Sequence, residues 1–219
     1  MKYRLAIFDM DGTVLNTLTD LTDCVNYALA LHGLPQRSER EVRSFTCRGL
    51  RRMTELALPE GAEAGLADEV FRDFSRYYAE HCADRTAPYD GITDVLKELR
   101  SAGMKIAMVS NKDESAARRL CDKHLCGLLD YAAGAREGVR KKPSPEPIDA
   151  ALDALGVQRS DSVCVGDSEV DVETAKNAGM DFIAVDWGFR DRKDLLAAGA
   201  AVITSDMGEL VRLILGDSE

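Results

Sequence analysis

A series of short apolar runs, each closed off by charge or by turn residues, limits the fold of this chain more than any other feature. Leu5-Ala6-Ile7-Phe8 is unbroken and stops at Asp9. Comparable runs recur at Lys105-Ile106-Ala107-Met108-Val109, Ser162-Val163-Cys164-Val165, Phe182-Ile183-Ala184-Val185 and Ala201-Val202-Ile203. Runs this short suit strands buried on both faces. Between them lie helical stripes. Ile92, Val95, Leu96 and Leu99 form one, ended by Gly103; Ile148, Ala151, Leu152 and Leu155 form another, ended by Gly156; Val172, Ala175 and Ala178 sit in a third, closed by Gly179. Strand and helix in alternation predict a parallel sheet with helices on both sides, an α/β class of the Rossmann-like kind.

Residues 17–85 break the rhythm. Thr17–Leu31, a segment opening at the capping box Ser38-Glu39-Arg40-Glu41, Gly49–Leu58 and Gly65–Cys82 all have helical patterns, and no strand is expected among them. The expected organisation is a sheet domain of residues 1–16 and 86–219, with a helical domain of residues 17–85 inserted after the first strand. The final residues, from Gly216 on, are expected to form a loose tail.

Composition narrows the function. Of 219 residues, 28 are Lys or Arg and 38 are Asp or Glu, a net charge of −10. That balance disfavours nucleic acid and anionic membranes, which need surplus positive charge. No apolar run is long enough to span a bilayer. The opening residues are too short an apolar stretch for a signal peptide, and no Asn-x-Ser/Thr acceptor occurs. The six cysteines form no Cys-x-x-Cys pair and are expected to be reduced thiols in the cytoplasm. Cys121, His124 and Cys126 match none of the usual zinc spacings.

The chemistry gathers just past strand ends, where open parallel sheets bind ligands. The first strand runs into Asp9-Met10-Asp11-Gly12-Thr13. Two carboxylates two residues apart share a side of extended chain and repel unless a cation or a proton separates their roles. Gly12 permits a sharp exit that brings backbone amides near a ligand. The third run leads into Gly166-Asp167-Ser168-Glu169-Val170-Asp171, acids at a helix N-terminus. Ser110-Asn111 offers hydroxyl and amide donors suited to phosphate oxygens, although Ser or Asp there equally suits a helix N-cap. Lys141-Lys142-Pro143-Ser144-Pro145 puts a lysine before a helix start, and Lys142 directly precedes the proline.

Taken in order, these segments resemble the four motifs of haloacid dehalogenase superfamily phosphatases, in the group similar to phosphoglycolate phosphatase. Asp9-Met10-Asp11-Gly12-Thr13-Val14 resembles the first, Ser110-Asn111 the second, Lys142-Pro143-Ser144-Pro145 the third, and Gly166-Asp167-Ser168 with Asp171 the fourth. The resemblance covers nearly the whole chain, including a helical cap after the first motif. Asn16-Thr17 departs from the Asp-Ser that many relatives carry. The resemblance implies Asp9 as nucleophile, forming an aspartyl-phosphate, and Asp11 as acid and then base. It implies Mg2+ held by Asp9, the Asp11 carbonyl and Asp167, with Asp171 steadying the metal's waters. Ser110, Asn111 and Lys142, with amides near Gly12, would hold the phosphoryl oxygens. Arg48, Gly49 and Arg51 in the cap are candidates for substrate contact, and the cap would close as a lid. The expected partner is a small phosphorylated metabolite, with the chain a monomer or homodimer. A phosphomutase of the same fold, a non-catalytic phosphometabolite-binding regulator and a dehalogenase attacking carbon are the alternatives. The last would have no need of Asp11 or metal.

Overall fold

Leu5 to Phe8 form strand β1, and all four side chains are buried. The alternation of strand side chains sends Leu5 and Ile7 to one face and Ala6 and Phe8 to the other. Leu5 and Ile7 join a core cluster with Val109, Ile148, Ala151, Leu152, Cys164 and Ala175. The structure, a computed structural model, describes residues 2–216, so residues 217–219 of the expected tail lie outside the described residues.

The chain forms two units, one of residues up to Leu15 and from Pro88 onward, the other of Asn16–Ala87. In the first, β1 is followed by α5 (Ile92–Ser101), β4 (Lys105–Asp113), α6 (Glu114–His124), β5 (Tyr131–Ala135), α7 (Glu146–Leu155), β6 (Ser162–Gly166), α8 (Glu169–Ala178), β7 (Asp181–Val185), α9 (Arg192–Ala198), β8 (Ile203–Thr204) and α10 (Met207–Leu215). The six strands lie in the order β5-β4-β1-β6-β7-β8, and every pairing is parallel. Phe8 is level with Met108 of β4 and Val165 of β6. The chain therefore turns out of three adjacent strands at one edge of the sheet, with β1 in the middle, where such sheets hold ligands.

The helical stripes behave as expected. Ile92, Val95, Leu96 and Leu99 are buried along α5, and Gly156 and Gly179 end α7 and α8 in the left-handed conformation that glycine adopts without strain. Three differences stand out. Strand β4 runs four residues past Val109. Strand β8 is Ile203–Thr204, shifted from the expected Ala201–Ile203. Strand β5, Tyr131-Ala132-Ala133-Gly134-Ala135, was not anticipated: small residues give no apolar run, and its place is fixed by pairing with β4.

The second unit contains α1 (Leu18–Leu31), α2 (Glu39–Phe45), α3 (Leu50–Ala57) and α4 (Ala64–His81). Its two ends meet the first unit's chain at short strands, β2 (Leu15–Asn16) and β3 (Ala87–Pro88), which pair with each other. The capping box at α2 is formed: the Ser38 amide donates to Glu41 Oε2 at 2.8 Å and the Glu41 amide to Ser38 Oγ at 3.3 Å. Asp20, on α1, is buried. It accepts from the Arg85 amide, the Thr86 amide and the Thr86 hydroxyl, the last two at 2.8 and 2.7 Å. One carboxylate thus ties the first helix to the outgoing end of its own unit. Among the described residues no helix is long and apolar enough to cross a membrane.

Candidate active site

The strand ends place eight of the predicted residues together. Asp9 follows β1, Asp167 follows β6, and Asp171 lies in the first turn of α8. Carboxylate oxygens of Asp9, Asp167 and Asp171 all lie within 4.8 Å of one another. Lys142 reaches between them, its Nζ 2.8 Å from Asp9 Oδ1 and 2.7 Å from Asp171 Oδ1. The lysine and Asp171 side chains are 5% and 6% exposed, and Asp9 is 11% exposed.

Each of these groups has a support. The Ser168 amide and hydroxyl both donate to Asp171 Oδ2, leaving Oδ1 for the lysine. Asp167 accepts from Thr13 Oγ1 at 2.9 Å and from the Phe189 amide at 2.6 Å. Gly12, at φ 88°, lies so close to Asp167 that a Cβ would fall 2.3 Å from the carboxylate, so neither its backbone angle nor its space admits another residue. Gly188 is equally confined: a Cβ there would meet the Gly12 carbonyl at 2.2 Å. The Trp187 indole donates to the Thr13 carbonyl, stitching the loop after β7 to the loop after β1.

Asn111 has a different geometry from a simple phosphate donor. Its Nδ2 donates to the Lys142 carbonyl at 2.9 Å and its Oδ1 accepts from the Lys142 amide at 2.8 Å. It clamps the main chain that carries the lysine. The cap of α6 is Asp113, whose Oδ1 accepts from the Ser115 amide at 2.9 Å. Ser110 is thereby free of the capping role that its position had equally allowed.

Asp11 stands apart from the three clustered acids. Its Oδ1 receives Lys112 Nζ at 2.7 Å, and Ser110 Oγ is 3.5 Å from its Oδ2. The two aspartates of the first motif thus face different lysines. Sequence reasoning had not singled out Lys112, Thr13, Gly188 or Phe189. For Lys112 a signal existed: it lies two residues beyond Ser110 on one strand, hence on the same side. Phe189 acts through its backbone, which no residue type advertises.

The electrostatics are unbalanced. Burial pushes the Asp9 carboxyl up to about 7 from 3.8, with Asp171 and Asp11 adding to the effect and Lys142 opposing it. Burial also raises Asp167 well above the usual carboxylate range, helped by Asp171 and Asp9 and resisted by its hydrogen bonds from Phe189 and Thr13. Burial disfavours the Lys142 charge, but Asp171 and Asp9 outweigh it and raise the ammonium's pKa. Three acids crowd around one ammonium. A divalent cation would favour their ionised forms, and an all-oxygen donor set suits a hard one such as Mg2+. Asp9 and Asp167 fit it as ligands, while Asp171, with both oxygens engaged by Lys142 and Ser168, stands beside them in the cluster.

The remaining predicted residues belong to the helical unit. Gly49 precedes α3 at φ 90°, and Cys47 has φ 79°, a conformation rare for a residue with a side chain. Arg48 stands between these two positive-φ positions. Arg51 is engaged within its own unit: it bonds Glu55 Oε1 at 3.0 Å and Asp68, and its guanidinium lies 5.1 Å from the centre of the Phe71 ring.

Residues 6–185 match the family described as haloacid dehalogenase-like hydrolase. The chain belongs to that family. It is 33% identical to the N-acetylmuramic acid 6-phosphate phosphatase of Pseudomonas aeruginosa over 98% of this chain and 96% of that protein. It is 32% identical to the phosphoglycolate phosphatase of Chromobacterium violaceum over 98% of each. A crystal structure from Lactobacillus delbrueckii subsp. bulgaricus, provisionally named phosphoglycolate phosphatase, superposes with a TM-score of 0.94 at 38% identity, covering 99% of this chain and all of that one. The chain is thus a member of the family's phosphatases, and the fold is theirs.

Proposed function

We propose that this phosphatase hydrolyses a small phosphomonoester in two steps, with Asp9 as the phosphoryl acceptor. The observation that carries the reading is the buried cluster of Asp9, Asp167 and Asp171, with Lys142 bonded to the first and last, beside an Asp11 held by a lysine of its own. In the first step Asp9 forms a bond to phosphorus while the bond to the alcohol oxygen breaks, and Asp11 gives that oxygen its proton. In the second, Asp11 takes a proton from water as the water oxygen displaces Asp9 from phosphorus. Lys142, braced by Asn111, and Ser110 hold phosphoryl oxygens and offset their charge. Asp9, the Asp11 carbonyl and Asp167 would hold Mg2+, with Asp171 steadying its waters, and the ion would supply charge neutralisation for the approach of an anion to a carboxylate.

The two named relatives act on compounds that share a chemistry, a phosphate ester and a carboxylate in one small molecule. The proposed substrate class is the same. Arg48 carries the guanidinium chemistry that complements such a carboxylate. Arg51 serves to brace α3. The protein is proposed to be cytoplasmic and to need no nucleic acid or membrane.

The test is phosphate release from phosphoglycolate, N-acetylmuramic acid 6-phosphate and glucose 6-phosphate, with Mg2+ and after chelation. Higher kcat/KM for the two carboxylates, lost with EDTA, supports the reading. Turnover that ignores the metal, or an Asp9→Asn variant that still turns over, overturns it.

A further inference from the structure

We propose that Lys112 is the positioning residue for Asp11, fixing one carboxyl oxygen and with it the orientation in which the group meets the leaving group and then water. This rests on the reading of Asp11 as the proton donor of the first step.

The local structure is built for that purpose. Ser110 and Lys112 alternate onto one side of β4, and both face Asp11. The Lys112 amide donates to Ser110 Oγ at 3.2 Å, so the two residues fix each other. Strand β4 shifts register against β5 between Val109 and Asp113, an irregularity of the kind that re-aims a side chain at a site. Gly134 of β5 packs so tightly there that a Cβ would sit 2.7 Å from the Lys112 carbonyl. The Lys112 side chain is 1% exposed, whereas Asp11 is 20% exposed.

A buried ion pair is weak evidence for stability, because desolvating both charges offsets their attraction. Geometry gives the better reason for this one. A carboxyl group turning freely about its Cβ–Cγ bond exchanges its two oxygens; held at Oδ1 by Lys112, with Ser110 Oγ 3.5 Å from Oδ2, it keeps one orientation. Proton transfer is sensitive to misplacement of well under 1 Å. Lys112 exchanges no proton in either step. The proton leaves Asp11 for the alcohol oxygen as the phosphorus–oxygen bond breaks, and a proton from water restores it.

The experiment compares kcat/KM for p-nitrophenyl phosphate and phenyl phosphate, which differ mainly in how much help the departing oxygen needs. The constant kcat/KM reports steps up to phosphoryl transfer to Asp9 and is blind to the later hydrolysis. In Lys112→Met the nitrophenyl-to-phenyl ratio is expected to rise about tenfold, a fraction of the roughly 10²–10⁴ that proton donation contributes. Asp11→Asn should raise it further. Lys112→Arg, which can still reach the carboxylate, should return it to within about threefold of the parent. If Lys112→Met lowers both substrates equally, the lysine serves only the fold and the proposal fails. If Asp11→Asn leaves the ratio unchanged, the assignment of Asp11 has failed instead. Should Lys112→Met not fold, Lys112→Gln against Lys112→Arg makes the same comparison with the same two outcomes.

Discussion

The two units use the same residue types in opposite ways. In the sheet unit Lys142, Asp9 and Asp171 converge with 5%, 11% and 6% of their side chains exposed. In the helical unit Arg51 and Asp68 pair at 49% and 67% exposure, and Arg85 and Asp23 at 58% and 51%. Exposed pairs contribute little and are screened by salt. Charges held out of water destabilise unless something compensates them. A buried surplus of negative charge is therefore a feature that folding alone would not retain. Its position at the carboxyl ends of three neighbouring strands says what retains it.

The contrast can be broken most forcefully at Asp9. Asp9→Asn should lower turnover by at least about 10⁴-fold while the melting temperature holds or rises, since it removes a charge that burial disfavours. A variant that is both active and unstable would reverse the comparison. Next comes the cation. Asp167→Asn should raise the Mg2+ concentration for half-maximal rate by about 10- to 100-fold, read from a metal titration. A third measurement uses pH. Because the folded Asp9 pKa of about 7 lies above its ordinary 3.8, the folded metal-free protein binds the extra proton. It should lose stability as pH rises through about 4 to 7, and added Mg2+ should restore more stability at pH 8 than at pH 5. Thermal melts at the two pH values, with and without metal, check the sign. Smaller still, Asn111→Ala frees the main chain of Lys142 and should cost about tenfold in kcat/KM. At the other pole, Arg51→Ala removes exposed pairs and should move the melting temperature by no more than about 2 °C.

What was legible in the sequence follows from range. The apolar runs, the helix stops at Gly156 and Gly179 and the capping box at Ser38 are local, and so could be seen. The acids of the first and fourth motifs were visible because each motif is one strand end with its turn. What was missed depends on distant chain. Strand β5 exists because β4 offers an edge to small residues. Asp167 is held partly by a backbone amide 22 residues on. Asn111 was assigned to phosphate by its chemistry, whereas its two hydrogen bonds go to Lys142, 31 residues away, a pairing that no spacing rule reveals. Arg51 bonds Glu55 on α3 and Asp68 on α4, pairings that its place in the sequence does not reveal.

The paired strands β2 and β3 have a consequence for ancestry and engineering. The chain leaves and re-enters the sheet unit at neighbouring residues, Leu15–Asn16 and Ala87–Pro88. Whatever is threaded between those points leaves the pairing of the six parallel strands undisturbed. Seventy-odd residues can therefore be traded for a longer, shorter or unrelated module by recombination at two adjacent seams. Such a scaffold can keep one reaction centre while the inserted unit is replaced wholesale.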